Sequence, residues 1–213
     1  NWKVFSLLEH EDWSKLCDVL HEQMYAGNNL PKRTVRLYIN AALLANKVGD
    51  IKALEEHCSN GKRHILERDL LYFVVARVLE NETDAALGLI NQFDIAKSGE
   101  YKDWLVFYKG FLLVMKRDYN AAFNPLHDCL SCKDPILLLL ASYLLDNLCV
   151  PSLPNGAEQS REHSRLQEIR QKLQLRFSPK RWSAETERAK NEVPVVILSK
   201  LIDEAGTWLY KKA

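Results

Sequence analysis

The sequence predicts an all-α protein, and three observations support that prediction. Glycine is scarce, with 8 residues in 213, and no segment shows the alternation of apolar and polar residues expected of strands joined by hairpin turns. Apolar residues recur instead at spacings of three and four, which is the period of an α-helix. Short polar turns interrupt the apolar runs at regular intervals. Together these features predict helices that follow one another in antiparallel pairs.

Four helix pairs are predicted in the first two-thirds of the chain. Polar breaks at Gly49-Asp50, at 81–84 and at Arg117-Asp118 each divide an apolar run into two helix-length halves. The predicted pairs are 2–9 with 12–25, 34–47 with 50–58, 66–79 with 82–94, and 102–116 with 118–131. Two-helix units that repeat at roughly 30 to 35 residues are typical of solenoids, in which neighbouring units share one continuous core.

The fourth pair carries the clearest repeat pattern. Gly110 allows a close approach between helices, and Asp118 is placed to cap the second helix. Ala122 is predicted at the helix crossing, and Leu126 and Cys129 follow on the same face. This order of small and apolar residues resembles the tetratricopeptide repeat family. The resemblance implies a right-handed superhelix of antiparallel helix pairs, a solenoid that binds protein segments in its groove.

The sequence predicts three parts. Residues 1–149 form the tetratricopeptide-like repeat domain, 150–157 form a linker, and 158–213 form C-terminal helices. The C-terminal part is predicted to contain a polar helix over 158–176, a short helix capped by Ser183 that ends near Asn191, and a final helix that begins at Pro194. These helices either cap the repeat array, which needs a polar terminal face, or form an arm for a partner or a second copy.

Aromatic and arginine side chains on the repeat helices predict a partner-binding groove, because such side chains supply much of the energy of protein interfaces. The alternative is that several of them pack between helices. The candidate groove residues are Arg36, Tyr38, Asn40, Tyr72, Arg77, Trp104 and Tyr108. A possible basic surface lies in the C-terminal third, at Arg161, Arg165, Arg170, Lys172, Arg176, Lys180 and Arg181.

The sequence shows no motif typical of catalysis. It lacks a Ser/His/Asp arrangement, a His-Glu-x-x-His motif and a glycine-rich phosphate loop. Cys129 and Cys132 beside His127 have the spacing of metal ligands, but structural zinc commonly needs a second such pair. Buried thiols are the favoured interpretation, with a redox pair or a metal site as alternatives. We therefore expect no enzymatic activity, no cofactor and no metal.

The expected function is that of a non-enzymatic scaffold or adaptor subunit. It would bind a partner peptide or helix in the repeat groove or through the C-terminal arm, and a homodimer through 158–213 is compatible with this. The alternative is a helical nucleic-acid-associated module that uses the basic segment 161–181. The net charge of +1 argues against that alternative. The odd number of cysteines favours an intracellular protein, cytoplasmic or nuclear, and no membrane insertion is expected.

Overall fold

The computed structural model describes residues 2–26, 30–190 and 192–211. Within these ranges the regular structure is helical and no strand occurs, so the predicted all-α class is confirmed. The α-helices are α1 (Trp2–Glu9), α2 (Trp13–Ala26), α3 (Lys32–Leu44), α4 (Val48–Ser59), α5 (Arg63–Arg68), α6 (Leu70–Leu79), α7 (Thr83–Asn91), α8 (Lys102–Met115), α9 (Tyr119–Asp128), α10 (Pro135–Leu144), α11 (Gly156–Arg176), α12 (Pro179–Ala189), α13 (Val193–Val196) and α14 (Ser199–Tyr210).

The chain forms two compact units, Asn1–Phe93 and Asp94–Ala213. The first unit contains α1 to α7, and the second contains α8 to α14. The division therefore falls between the third and fourth helix pairs, whereas the sequence suggested a linker at 150–157. That segment begins with a short 3₁₀ turn, Val150–Ser152, and α11 follows from Gly156.

One turn geometry recurs in all four helix pairs. Each first helix ends in a single non-glycine residue with a left-handed backbone, at Glu11, Asn46, Asn81 and Arg117, with φ between 52° and 60°. In the second pair, the N–H of Asn46 bonds to the carbonyl of Leu43 (3.1 Å), and that of Lys47 bonds to Ala42 (2.8 Å). The same two bonds occur in the other three turns, at 2.8 to 3.2 Å. This is the Schellman motif, and it recurs at spacings of 35, 35 and 36 residues.

The fourth pair has the predicted local features. A Cβ at Gly110 would lie 2.7 Å from Cγ of Leu126, so the two helices approach closely at this point. The side chain of Asp118 accepts a hydrogen bond from the N–H of Ala121 at 3.1 Å, which makes Asp118 the N-cap of α9. Ala122 and Leu126 are buried. The sequence pattern of this hairpin therefore corresponds to its packing.

The first helix of the third pair differs from the prediction. Instead of one helix over 66–79, the chain forms α5 and α6, which are separated at Asp69 (φ −113°, ψ 24°). The carboxylate of Asp69 is fully buried and accepts hydrogen bonds from Nε of Arg36 (2.8 Å) and from Nε of Arg68 (2.8 Å). A buried carboxylate needs such partners, and this ion pairing accompanies the break.

Two C-terminal predictions are wrong in detail. The N-cap of α12 is Ser178 and not Ser183, because the Ser178 side chain accepts from the N–H of Arg181 and Pro179 begins the helix. The predicted end of this helix near Asn191 lies outside the described residues. The final helix is also divided, into α13 and α14. The carbonyl of Pro194 accepts from the hydroxyl of Tyr108 (2.7 Å), while the N–H of Leu198 bonds to Val195 instead.

The apolar helix α10 forms the centre of the second unit. It is buried on most sides and continues through a π-helical turn, Leu145–Cys149, as far as residue 152. Within the described residues, 135–152 is long and apolar enough to cross a membrane by length and composition alone, and rather more than half of it is buried in the protein. The core helices of soluble proteins pass the same test.

The C-terminal helices pack onto this central helix. Asp146, in the π-helical turn, accepts hydrogen bonds from Nε1 of Trp208 on α14 (3.0 Å) and from Nε2 of Gln167 on α11 (3.1 Å). Nδ1 of His163 lies 2.7 Å from the other carboxylate oxygen of Asp146. One carboxylate therefore joins α11 and α14 to α10, and residues 158–211 are part of the second unit's fold.

Candidate functional site

The aromatic residues of the candidate groove are buried, which corrects the prediction that they line an open surface. Tyr38, Tyr72, Trp104 and Tyr108 are between 0% and 7% exposed. Tyr108 donates its hydroxyl hydrogen bond to the carbonyl of Pro194, so the C-terminal segment of the chain itself covers it. Sequence spacing placed these residues on the correct helices but could not show what packs against them.

The two arginines of the candidate groove are held in ion pairs. Arg36 donates to Asp69, and its guanidinium lies 5.1 Å from the ring centre of Tyr72. Arg77 donates to both carboxylate oxygens of Glu55, each at 3.0 Å, and to Glu82 at 2.5 Å. Asn40 is half-buried on α3. These contacts stabilise the first unit, so neither arginine is an open anchor for a partner.

Glu82 forms ion pairs with two cationic side chains. It accepts from Nζ of Lys52 at 2.6 Å and from Arg77. The hydrogen bond from Lys52, followed by that from Arg77, lowers the pKa of Glu82 below its usual value. In the sequence, only the position of Glu82 in the turn before α7 indicated this network. Its partners Lys52 and Arg77 lie 30 and 5 residues away along the chain.

The first unit contains an open cavity of about 350 Å³ that sequence reasoning missed. We call it the acidic pocket. It is lined by Cys17, Asp18, His21, Glu22, Tyr25, Tyr38, Asp50 and Ala53. Three carboxylates and three aromatic or imidazole rings from α2, α3 and α4 surround this space. The only available signal was the pair Asp18 and Glu22, one helical turn apart on α2.

The geometry of the acidic pocket is set by its rings. The rings of His21 and Tyr25 have centroids 4.4 Å apart, and those of His21 and Tyr38 are 6.3 Å apart. Burial raises the pKa of the Cys17 thiol to about 11, so the thiol stays protonated at neutral pH. Burial also raises the pKa of Tyr38. The pocket therefore presents neutral Tyr and Cys side chains beneath a negatively charged rim.

The predicted basic surface is divided into parts with different roles. Arg161 and Arg165 lie within 4 Å of the mostly buried carboxylate of Glu162. Arg170 points inward: it donates to the carbonyls of Leu209 and Lys211, and its guanidinium lies 5.2 Å from the Trp208 ring centre. Arg170 therefore stabilises the packing of α11 against the C-terminal segment, whereas Arg161 and Arg165 stay exposed and pair with a carboxylate of their own helix.

Four basic residues remain exposed at the corner between α11 and α12. They are Lys172, Arg176, Lys180 and Arg181, which we call the basic corner. The guanidinium groups of Arg176 and Arg181 lie 5.1 and 5.4 Å from the ring centre of Phe177. The structure thus places the guanidinium groups of Arg176 and Arg181 around one ring, and Lys172 and Lys180 are exposed close to them in the sequence.

The second unit contains a cavity of about 450 Å³ with side chains of both charges. Lys102, Asp103, His127 and Arg165 line it, and Nη1 of Arg165 donates to Nε2 of His127 at 2.5 Å. This cavity shows no separation of charge that would select one class of ligand.

The cysteines near this cavity are free thiols. Sγ of Cys129 donates to the carbonyl of Pro125 (3.3 Å), and that of Cys132 to Asp134 (3.5 Å). Burial raises the pKa of both, to about 12 for Cys132. Among the described residues, no group of three or more His, Cys, Asp or Glu side chains has the geometry of a metal site.

Comparison with known proteins adds a family but no activity. An uncharacterised protein of Treponema pallidum (strain Nichols) is 25% identical over 219 aligned residues, which cover 99% of this chain and 69% of that relative. No solved structure matches the chain. A family model described as "Uncharacterised Treponema protein" matches residues 50–211. Since this match extends over most of the chain, the protein belongs to that family.

Proposed function

We propose that the protein is a non-enzymatic scaffold or adaptor subunit that binds a segment of another protein. The observation that supports this most is the array of four helix pairs with the same Schellman turn at spacings of 35 to 36 residues. Arrays of this kind bury one face of each unit on its neighbour and use the remaining face to bind partners. The proposal includes a tetratricopeptide-like superhelix and an intracellular location.

The exposed apolar residues of α1 are the first candidates for partner contact. Trp2 is 83% exposed and Phe5 63% exposed, and none of the residues of α1 is buried. Large apolar side chains that are exposed one turn apart on a helix are typical of a protein-binding surface. The buried aromatic residues that the sequence suggested are not available for this role.

Affinity capture with matched variants tests the proposal. The tagged protein would be incubated with an extract of the cells that produce it, and bound proteins quantified by mass spectrometry. We expect the variant Trp2→Ala with Phe5→Ala to lose a specific protein that the wild type retains. The control is Leu175→Ala, which removes an 89% exposed leucine from α11. Equal recovery by the double variant would show that α1 is not the contact, and no specific recovery by the wild type would contradict the function.

A nucleic-acid-associated function is the second candidate, because the basic corner exposes four cations within residues 172–181. If all four contact phosphates of a duplex, the logarithm of the association constant should fall with the logarithm of salt concentration with a slope of about −3.6. Fluorescence anisotropy with labelled duplex and single-stranded oligonucleotides measures this slope. The variant with glutamine at all four positions should then lose binding, and a slope near zero for the wild type would exclude this candidate.

A further inference from the structure

The acidic pocket has the composition of a site for an organic cation. We propose that it binds the ammonium or guanidinium group of a lysine or arginine side chain carried by the partner segment. This inference rests on the proposed function and specifies the partner's chemistry. It is independent of the α1 surface, because the pocket is built from α2, α3 and α4.

The charge of the rim supports a cationic ligand. Asp18 and Glu22 come from α2, and Asp50 comes from the first turn of α4. Lys47 compensates part of this charge, because its Nζ lies 3.1 Å from Asp18. Glu22 and Asp50 have no ion pair within the described residues. The rim therefore carries more negative charge than its own lysine neutralises, and it would attract a second cation.

The rings of the pocket provide a second type of contact. Cations are attracted to aromatic faces when they lie within about 6 Å of the ring centre. The rings of Tyr25 and Tyr38 both lie near His21, with centroids 4.4 and 6.3 Å from the imidazole. A cation that enters between the carboxylates would therefore also meet ring surface. A volume of about 350 Å³ is small for a cofactor, but it is enough for the end of one long side chain.

The hydroxyl of Tyr38 supports this assignment independently. Tyr38 is only 2% exposed, lines the pocket, and makes no hydrogen bond with another described residue. Among the described residues, the hydroxyl of Ser98 alone is both enclosed and without a partner, so the Tyr38 hydroxyl opens onto the cavity. The phenol is neutral at neutral pH, and burial raises its pKa further above the usual value of 10.0. Its oxygen can then accept a hydrogen bond from an N–H of the ligand.

Titration by NMR with small probes tests the site directly. The probes are butylammonium and butylguanidinium, with neutral butylurea and anionic butyrate as controls. We expect saturable chemical-shift changes at Asp18, Tyr25, Tyr38 and Asp50 with the two cations and none with the controls. Shift changes spread over the whole acidic surface, without saturation, would overturn the inference.

Variants distinguish binding in the pocket from non-specific attraction of cations to the acidic surface. Asp50→Asn with Glu22→Gln should raise the dissociation constant about fivefold, given typical energies of exposed charge pairs. Tyr38→Phe keeps the ring and should raise it about twofold to tenfold, as expected for one hydrogen bond. The matched control is Glu56→Gln, which removes an exposed charge from α4 outside the pocket. If Glu56→Gln raises the dissociation constant as much as the double variant does, the attraction is not specific to the pocket.

The source of the cation is tested with peptides, and the two proposals can fail separately. Acetyl-Gly-Lys-Gly-amide and its arginine counterpart should bind at least as well as the free amines. If spermidine binds and both peptides are excluded, the site takes a small amine and the assignment to a protein side chain is wrong. If Asp50→Asn with Glu22→Gln still captures the specific partner as the wild type does, the pocket inference fails while the proposed function stands.

Discussion

Arg117 adopts a left-handed backbone conformation, which is energetically unfavourable for any residue with a Cβ atom. Its φ is 60°, and Glu11 has a φ of 52°. The left-handed region is disfavoured by about 1 kcal/mol or more for such residues, whereas glycine adopts it freely. Asparagine tolerates this region better, and it is found in the second and third turns at Asn46 and Asn81. The first and fourth turns are therefore the two that glycine would improve most.

We predict that Arg117→Gly increases the free energy of unfolding by about 1 kcal/mol, because glycine removes this steric cost. Urea denaturation followed by circular dichroism measures the change. The control is Ala121→Gly on the exposed face of α9, where a helical position should make glycine destabilising by a similar amount. A loss of stability in Arg117→Gly would mean that the arginine side chain contributes more than the strain removes.

The pKa of Glu82 makes the stability of the first unit depend on pH. Hydrogen bonds from Lys52 and Arg77 lower this pKa in the folded protein below its usual value of 4.5. A carboxyl whose pKa is lowered by folding contributes stability above its unfolded pKa, and that contribution is lost as the pH falls through the folded value.

We therefore predict that Glu82→Gln reduces stability at pH 7 and makes stability less dependent on pH in acid, so that the difference between wild type and variant shrinks as the pH falls below 4.5. Urea midpoints measured from about pH 7 to pH 3 give both curves. Glu56→Gln, at an exposed position of α4, should keep the wild-type pH dependence. Parallel curves for wild type and Glu82→Gln would show that the contacts with Lys52 and Arg77 contribute nothing in solution.

Among the glycines that the structure describes, Gly110 permits the closest helix contact, at the crossing of α8 and α9. A Cβ at position 110 would lie 2.7 and 2.8 Å from Cγ and Cδ2 of Leu126, and 3.3 Å from its backbone nitrogen. The leucine side chain can move, but the backbone contact limits how far the helices can adjust. The other helical glycines described have more space: Gly88 has no heavy atom within 4 Å of a Cβ added there.

We predict that Gly110→Ala costs about 1 to 3 kcal/mol through overpacking, while Gly88→Ala is neutral or stabilising. Leu126→Ala alone should cost about 2 to 5 kcal/mol by leaving a cavity. In the double variant the added methyl group fills part of that cavity. The loss of unfolding free energy in the double variant should therefore be smaller than the sum of the losses in the two single variants. Simple additivity in this double-mutant cycle would contradict the close crossing.

The helix pairs could be predicted because their signals are local. The turns are marked by polar residues next to the left-handed position, and the fourth pair has Gly110 and Asp118 where packing and capping require them. The groove could not be predicted, since burial depends on distant residues. Tyr108 is covered by a segment 86 residues away, and Arg36 meets Asp69 from 33 residues away. The acidic pocket likewise combines three helices, so no single stretch of sequence marks it.

At the scale of the whole chain, the C-terminal helices complete the second unit. The carboxylate of Asp146 joins them to α10, and Tyr108 binds the carbonyl of Pro194. Val195, Leu198 and Leu209 are almost fully buried. These contacts favour the capping role over a free arm, because removing the segment would expose apolar core.

We predict that deletion of residues 193–213 leaves a protein that aggregates or loses its cooperative thermal transition. The exposed core of α8 and α10 is the physical reason. Deletion of residues 1–10 is the control, since α1 contributes no buried residue. Light scattering on size-exclusion eluate and differential scanning calorimetry give the result. A folded, monomeric protein after the C-terminal deletion would show that the segment is an arm instead.

The recurring Schellman turn has a consequence for how such proteins diverge. Its two hydrogen bonds join main-chain atoms, so the residue at its centre can be Glu, Asn or Arg without loss of the turn. If the helix pairs arose by duplication, their sequences could drift apart while the interval between the turns is kept. In distant relatives, common ancestry of the units should be sought in the regular interval between turns, because insertions within a unit would disturb the register and substitutions would not.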